Sequence, residues 1–207
     1  MSMQNVAKTP QAVWEALREG NERFIANRSE RPNQDPEYRS LLSVGQSPRV
    51  VIFSCSDSRV PVEMVFDLGL GDAFVIRTAG QIIDSSIIAS VEYAIEKFDV
   101  NLLVVMGHES CGAVRATMEF AEGGSAPNGF QRTIVERVLM SVTEANKRGM
   151  VTREDVERQH ITETVYQLMA RAPGLGQGLI RQSMGIVGLR YNLSEGRVEP
   201  VVLNGVH

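Results

Sequence analysis

Cysteine, histidine and tryptophan are all scarce in this chain, with two, three and one among 207 residues. Two cysteines cannot build the multiply bridged framework of a small secreted domain. No apolar run approaches the roughly 18 residues that a membrane span needs. The opening stretch MSMQNVAKTPQ also lacks the apolar segment and cleavage site of a secretory signal. A cytoplasmic, thiol-reducing location with no membrane partner is therefore expected. Positive charge is in no surplus either: 21 Lys plus Arg against 25 Asp plus Glu leave a net charge of −4. Nothing is set to neutralise a phosphate backbone, which excludes nucleic acid as an expected partner. What is present, 43% hydrophobic and 22% charged residues, is the make-up of an ordinary globular domain.

The pattern along the chain predicts an α/β protein in three layers, α/β/α, with a central, mostly parallel sheet, an antiparallel edge strand and an N-terminal helical arm. Thr9 before Pro10 is a helix start, because the hydroxyl can cap and proline at the first position loses no hydrogen bond. Val13, Trp14, Leu17 and Phe24 give that helix an apolar stripe. Residues 27–46 hold Pro32 and Pro36 among polar residues and read as an extended connection. Residues 1–46 then form an arm and 47–207 one catalytic domain. Tethered this way, the stripe is expected to bury on a second subunit instead of folding back.

From Arg49 onward, short apolar runs (RVVIFS, DAFVIRTAG, NLLVVMG) alternate with helical segments, one after Pro61 and one over 84–98. Strands apolar at successive positions are covered on both faces, which predicts parallel pairing. Helices follow over 112–120, 131–147 and 152–171. The tail, MGIVGLRYNL and RVEPVVL, reads as a hairpin whose last strand runs antiparallel at an edge. Gly174, Gly176 and Gly178 follow a helix instead of a strand, so they read as a loop and not as a dinucleotide site.

Cys55 directly follows the first strand, and His108 and Cys111 follow the third. Open α/β sheets bind ligands at the carboxyl ends of their strands. One imidazole and two thiols converging there suit zinc. Three protein ligands leave one position open, the mark of a catalytic zinc, whose bound water is acidified enough to yield hydroxide near neutral pH. Asp57 either accepts a hydrogen bond from that hydroxide or ligates the metal itself. Arg59, two residues on, can hold it by a bidentate pair.

CSDSRV (55–60) and EYAIEKFDVNLLVVMGHESCG (92–112) together closely resemble both signatures of the β-class carbonic anhydrases. The resemblance implies a zinc lyase, a carbonate dehydratase, that reversibly hydrates carbon dioxide to bicarbonate and a proton by zinc-bound hydroxide. It implies one Zn2+ per chain on Cys55, His108 and Cys111, with Asp57 and Arg59 as the catalytic dyad and Asp57 on the metal only in a closed, inactive state. Gln46 would donate its amide to substrate oxygen and Gly112 its backbone N–H. Phe74, Ala79 and Tyr93 would wall the pocket, partly from a neighbouring subunit, in a homodimer or a dimer of dimers. Where members with a bicarbonate-inhibited state often carry tryptophan, three residues before the first ligand, this chain has Ile52.

An enzyme acting on carbon disulfide is the nearest alternative on the same scaffold. A silent zinc-binding regulator is disfavoured, since the dyad and all three ligands are retained. His160 reads as a satisfied or solvent-facing histidine, whose replacement by alanine is expected to leave metal and activity nearly intact.

Overall fold

In the computed structural model, which describes residues 3–207, four strands run parallel: β1 (Val50–Cys55), β2 (Ala73–Thr78), β3 (Leu102–His108) and β4 (Gly185–Tyr191). A fifth, β5 (Val198–Asn204), returns antiparallel beside β4, and the order across the sheet is β2-β1-β3-β4-β5. Every residue of β1, β3 and β4 is buried, whereas β5 is half-exposed along its length. This is the burial that continuous apolar runs require of central strands and that the tail hairpin requires of an edge.

Alternate side chains of each strand feed opposite layers. Val50, Ile52, Leu102, Val104 and Met106 point to one face, where α1 (Pro10–Ile25) and the one-turn α3 (Val62–Val65) cover them. Val51, Phe53, Leu103 and Val105 point to the other, under α4 (Ser85–Phe98), α7 (Arg153–Arg171) and α8 (Pro173–Ile180). A third cluster joins α5 (Gly112–Ala121), α6 (Arg132–Lys147) and α7 above the carboxyl ends of the strands. Thr9 caps α1 at the amide of Ala12, as its place before Pro10 implies; Asp84 likewise caps α4 at Ile87, and Thr152 and Asp155 form a capping box on α7.

Three expectations are corrected. The stripe on α1 does not await a second subunit: Trp14 and Leu17 lie fully inside the core of their own chain. With α3 only four residues long, that face of the sheet would otherwise be bare, and α1 supplies its cover. Asn21 ties the helix down, donating to the carbonyls of Val65 and Gly196 and accepting from the amide of Val198. Asp67 ties the connection, accepting from Arg23 Nε and from the amides of Glu30 and Arg31. Secondly, the connection is not wholly extended, because Asp35 caps the short α2 (Pro36–Leu42), repeating the cap-then-proline signal of Thr9-Pro10. Thirdly, Gly174, Gly176 and Gly178 belong to α8, which Pro173 initiates and buried Leu175 anchors. Packing there outweighs the poor helix propensity of glycine.

The chain leaves β1 for β2 on one side and returns to β3 on the other. The carboxyl ends of β1 and β3 therefore border the crevice where the winding reverses, the position at which open α/β sheets gather functional groups. Among the described residues no helix is long and apolar enough to cross a membrane.

Candidate metal centre

Cys55 is the last residue of β1 and His108 the last of β3, and a two-residue turn brings Cys111 to the N-cap of α5. The two sulfurs and an imidazole nitrogen all lie within 4.8 Å of one another, and all three residues are buried. Ligand atoms around a tetrahedral zinc stand about 3.5–4 Å apart, so a small contraction would close this set on an ion.

The tautomer of His108 follows from its neighbour. Nδ1 lies 2.8 Å from the carbonyl oxygen of Glu109, which can only accept, so Nδ1 carries the proton. Nε2 is left with its lone pair, buried and without a hydrogen-bond partner. A buried acceptor in that condition is costly unless something electrophilic meets it. The thiols are equally unsettled. The thiol of Cys111 donates to Cys55 and, against the cost of burial, helps hold Cys55 at a pKa of about 4, with His108 and the amides of Asp57 and Gly80 adding to it. Cys111 is correspondingly pushed up, by that bond, by burial and by the charge on Cys55. Burial opposes charge on His108, but the adjoining Cys55 sulfur and the negative charge it carries raise it overall. A site that crowds one thiolate, one reluctant thiol and one bare nitrogen fits a thiophilic dication.

Asp57 sits just outside this set, Oδ2 4.0 Å from His108 Nε2. Arg59 grips it through Nε (2.9 Å to Oδ1), Nη2 (2.7 Å to Oδ2) and its own amide (2.9 Å to Oδ1). The side-chain bonds from Arg59 hold the carboxyl well below the usual carboxylate range despite partial burial. Arg77, on β2, fastens the turn from behind, donating to the carbonyls of Cys55 (3.0 Å) and Asp57 (2.7 Å).

Of the other candidate residues, Ala79 and Gly112 line a cavity of about 400 Å3 together with Cys55, Asp57, Ala116 and Ile134. A Cβ at Gly112 would meet nothing within 4 Å, so its backbone faces open space. Gln46, Phe74 and Tyr93 do not line this cavity within the single chain. Gln46 is exposed in a separate cleft with Leu42, Val44 and Leu70, and Phe74 and Tyr93 cluster with Phe98 in tilted and edge-to-face contacts, ring centroids 5.6–6.2 Å apart. His160 is fully enclosed and satisfied at both nitrogens, which removes the solvent-facing reading.

Sequence reasoning missed several supporting residues. Gly80 donates its amide to Cys55 Sγ at 3.2 Å. Its φ of +67°, and the 2.5 Å that would separate a Cβ from Ala113 Cβ, admit only glycine. Buried Glu157 accepts from the amide of Cys111 (3.3 Å) and from Arg190 Nε (3.0 Å). The available signal was the spacing 157, 160, 164 on α7: one helical face that is polar and yet buried.

Residues 50–198 match a protein-family model described as carbonic anhydrase. The carbonic anhydrase of Mycolicibacterium smegmatis is 47% identical over 190 residues, covering 92% of each chain. Carbonic anhydrase 2 of Mycobacterium tuberculosis is 47% identical over 188 residues, 91% of each. Among solved structures, the β-carbonic anhydrase CcaA superposes with a TM-score of 0.72 at 25% identity, covering 90% of this chain and 94% of its own. A structure from the work on two tetrameric β-carbonic anhydrases of Sordaria macrospora gives 0.71 at 20% identity, covering 92% and 97%, a likeness of fold.

Proposed function

The chain belongs to the β-carbonic anhydrase family and is by that kinship a carbonate dehydratase; we propose that it interconverts carbon dioxide and bicarbonate with one zinc ion held by Cys55, His108 and Cys111. The observation that carries the zinc assignment is the bare, buried Nε2 of His108 facing two thiols within 4.8 Å. When bound, such an ion supplies the Lewis acidity that makes water a nucleophile at neutral pH.

Around that centre the chain's own groups have separable tasks. Asp57, kept ionised by Arg59, accepts the hydrogen bond of the attacking water at a carboxylate oxygen and so fixes which lone pair faces carbon dioxide. The Arg59 fork also restrains the carboxylate from entering the metal shell itself, the closed and inactive arrangement. Gly112 offers a backbone N–H to substrate oxygen, and Ala79 contributes apolar wall in the 400 Å3 cavity, which favours an uncharged, apolar substrate.

Gln46, Phe74 and Tyr93 take their substrate-binding roles from a second copy of the chain, in a homodimer or dimer of dimers. What supports this is their absence from the cavity of their own chain, together with the outer edge of β2, unpaired among the described residues, and the exposed Leu41, Val44, Met64 and Leu70 nearby in the sequence. The two free thiols suit a reducing compartment, the cytoplasm. Zinc content and stopped-flow carbon dioxide hydration, measured on one preparation, test the reading: about one zinc per chain with activity is expected, and an active metal-free enzyme overturns it.

A further inference from the structure

His160 takes no place among the ligands, yet a single residue, Gly80, connects it to one of them. Its Nε2 lies 2.7 Å from the carbonyl oxygen of Gly80, and the amide of that same Gly80 lies 3.2 Å from Cys55 Sγ. Its Nδ1 lies 2.9 Å from Ser141 Oγ. Since a carbonyl only accepts, the proton sits on Nε2, and the Ser141 hydroxyl must donate to Nδ1. Every hydrogen bond in the series Ser141, His160, Gly80, Cys55 then has a defined direction. Ser141 and His160 are buried, and burial keeps the imidazole neutral, so this tautomer persists without competition from water.

The turn needs such a hold. Gly80 is left-handed at φ +67°, and Gln81, which is not a glycine, follows at φ +39°. Glycine tolerates that region but Gln81 is strained there, and such a turn keeps its shape only where its surroundings impose it. His160 is carried on the 19-residue α7, whose Thr164 hydroxyl also bonds back to the His160 carbonyl. A rigid helix thereby fixes a backbone amide that points at the Cys55 sulfur from across the turn. Hydrogen bonds to a ligating thiolate withdraw charge from it and tune the metal it binds.

We propose that His160, seated by Ser141, is a positioning residue that holds the Gly80 amide on the Cys55 sulfur and so sets how much charge that sulfur donates to the metal. The proposal rests on Cys55 being a metal ligand. Replacing zinc with cobalt(II) in the full-length protein makes the sulfur visible through its thiolate-to-cobalt charge-transfer band. In His160→Ala the amide is released, the sulfur lone pairs rise in energy, and the band moves to longer wavelength with one cobalt still bound per chain. His160→Gln, which can present an N–H from the same place, returns the band toward its original position, and Ser141→Ala gives a smaller shift in the same direction. A cobalt-loaded His160→Ala with an unmoved band overturns the proposal, leaving His160 as packing alone. Should His160→Ala not fold, Ser141→Ala decides by the same criterion. A wild-type chain that takes up cobalt with no thiolate band overturns the ligand assignment itself, an outcome distinct from an unmoved band in the variants.

Discussion

Arg59 and Asp57 meet as a fork on a carboxylate, two parallel bonds of 2.9 and 2.7 Å reinforced by the Arg59 amide at 2.9 Å. That geometry is specific to a planar guanidinium. Arg59→Ala is expected to keep its zinc, lose about ten- to a hundredfold in hydration rate, and let the carboxyl of Asp57 titrate closer to the ordinary carboxylate range. Arg59→Lys should recover little, because an ammonium cannot form the fork. Stopped-flow rates and carboxyl 13C shifts across pH check both parts. Full activity in Asp57→Ala, or unchanged zinc coordination by X-ray absorption in Arg59→Ala at low pH, would remove the pair from the mechanism.

Zinc uptake by the apoprotein should release protons, and affinity should therefore rise with pH. Cys55, at about 4, is already ionised at neutrality and contributes none. Cys111 is pushed up and must lose its proton, and His108, also raised, must be neutral to ligate. About one to two protons per zinc are expected near pH 7. Calorimetry in buffers of different ionisation enthalpy counts them; a value near zero contradicts the assignment of Cys111. Cys55→Ser and Cys111→Ser should each lose metal and activity together.

Gly80→Ala should destabilise the fold and the centre together. An alanine there must adopt φ +67° and place its Cβ 2.5 Å from that of Ala113. The expected cost is about 1–3 kcal/mol, seen as a melting point lowered by several degrees for a chain of this size. An unaltered melt would mean that the turn has another low-energy shape.

Because α1 covers its own sheet, removing residues 1–26 should leave a chain that does not fold cooperatively, not an active monomer. Trp14→Ala tests the same packing more gently and is expected to cost about 3–5 kcal/mol in denaturant unfolding, since Trp14 is only 2% exposed. A cooperative, active truncated protein in sedimentation and melting experiments would contradict the intrachain docking.

Local pattern alone carried much of this molecule. Apolar runs at successive positions mark central strands, because a residue buried on both faces of a sheet has no polar option. Polar, metal-seeking side chains placed where those runs stop mark the site, because a strand end is where a buried ladder first opens to a crevice. The convergence of Cys55, His108 and Cys111, with Asp57 and Arg59 beside them, was legible for that reason, and so was the antiparallel edge. The docking of α1, the helix over 173–180 and the series from Ser141 through His160 and Gly80 to Cys55 were not. Whether an amphipathic stripe meets its own sheet or another chain depends on which face lacks a cover, and that is known only once α3 proves to be a single turn. Glycines enter a helix where burial of a neighbour such as Leu175 outweighs their backbone entropy, a balance that no local propensity contains. A hydrogen bond joining residues 80 and 160 depends on how two distant segments pack, and the periodicity of either segment is silent about the other.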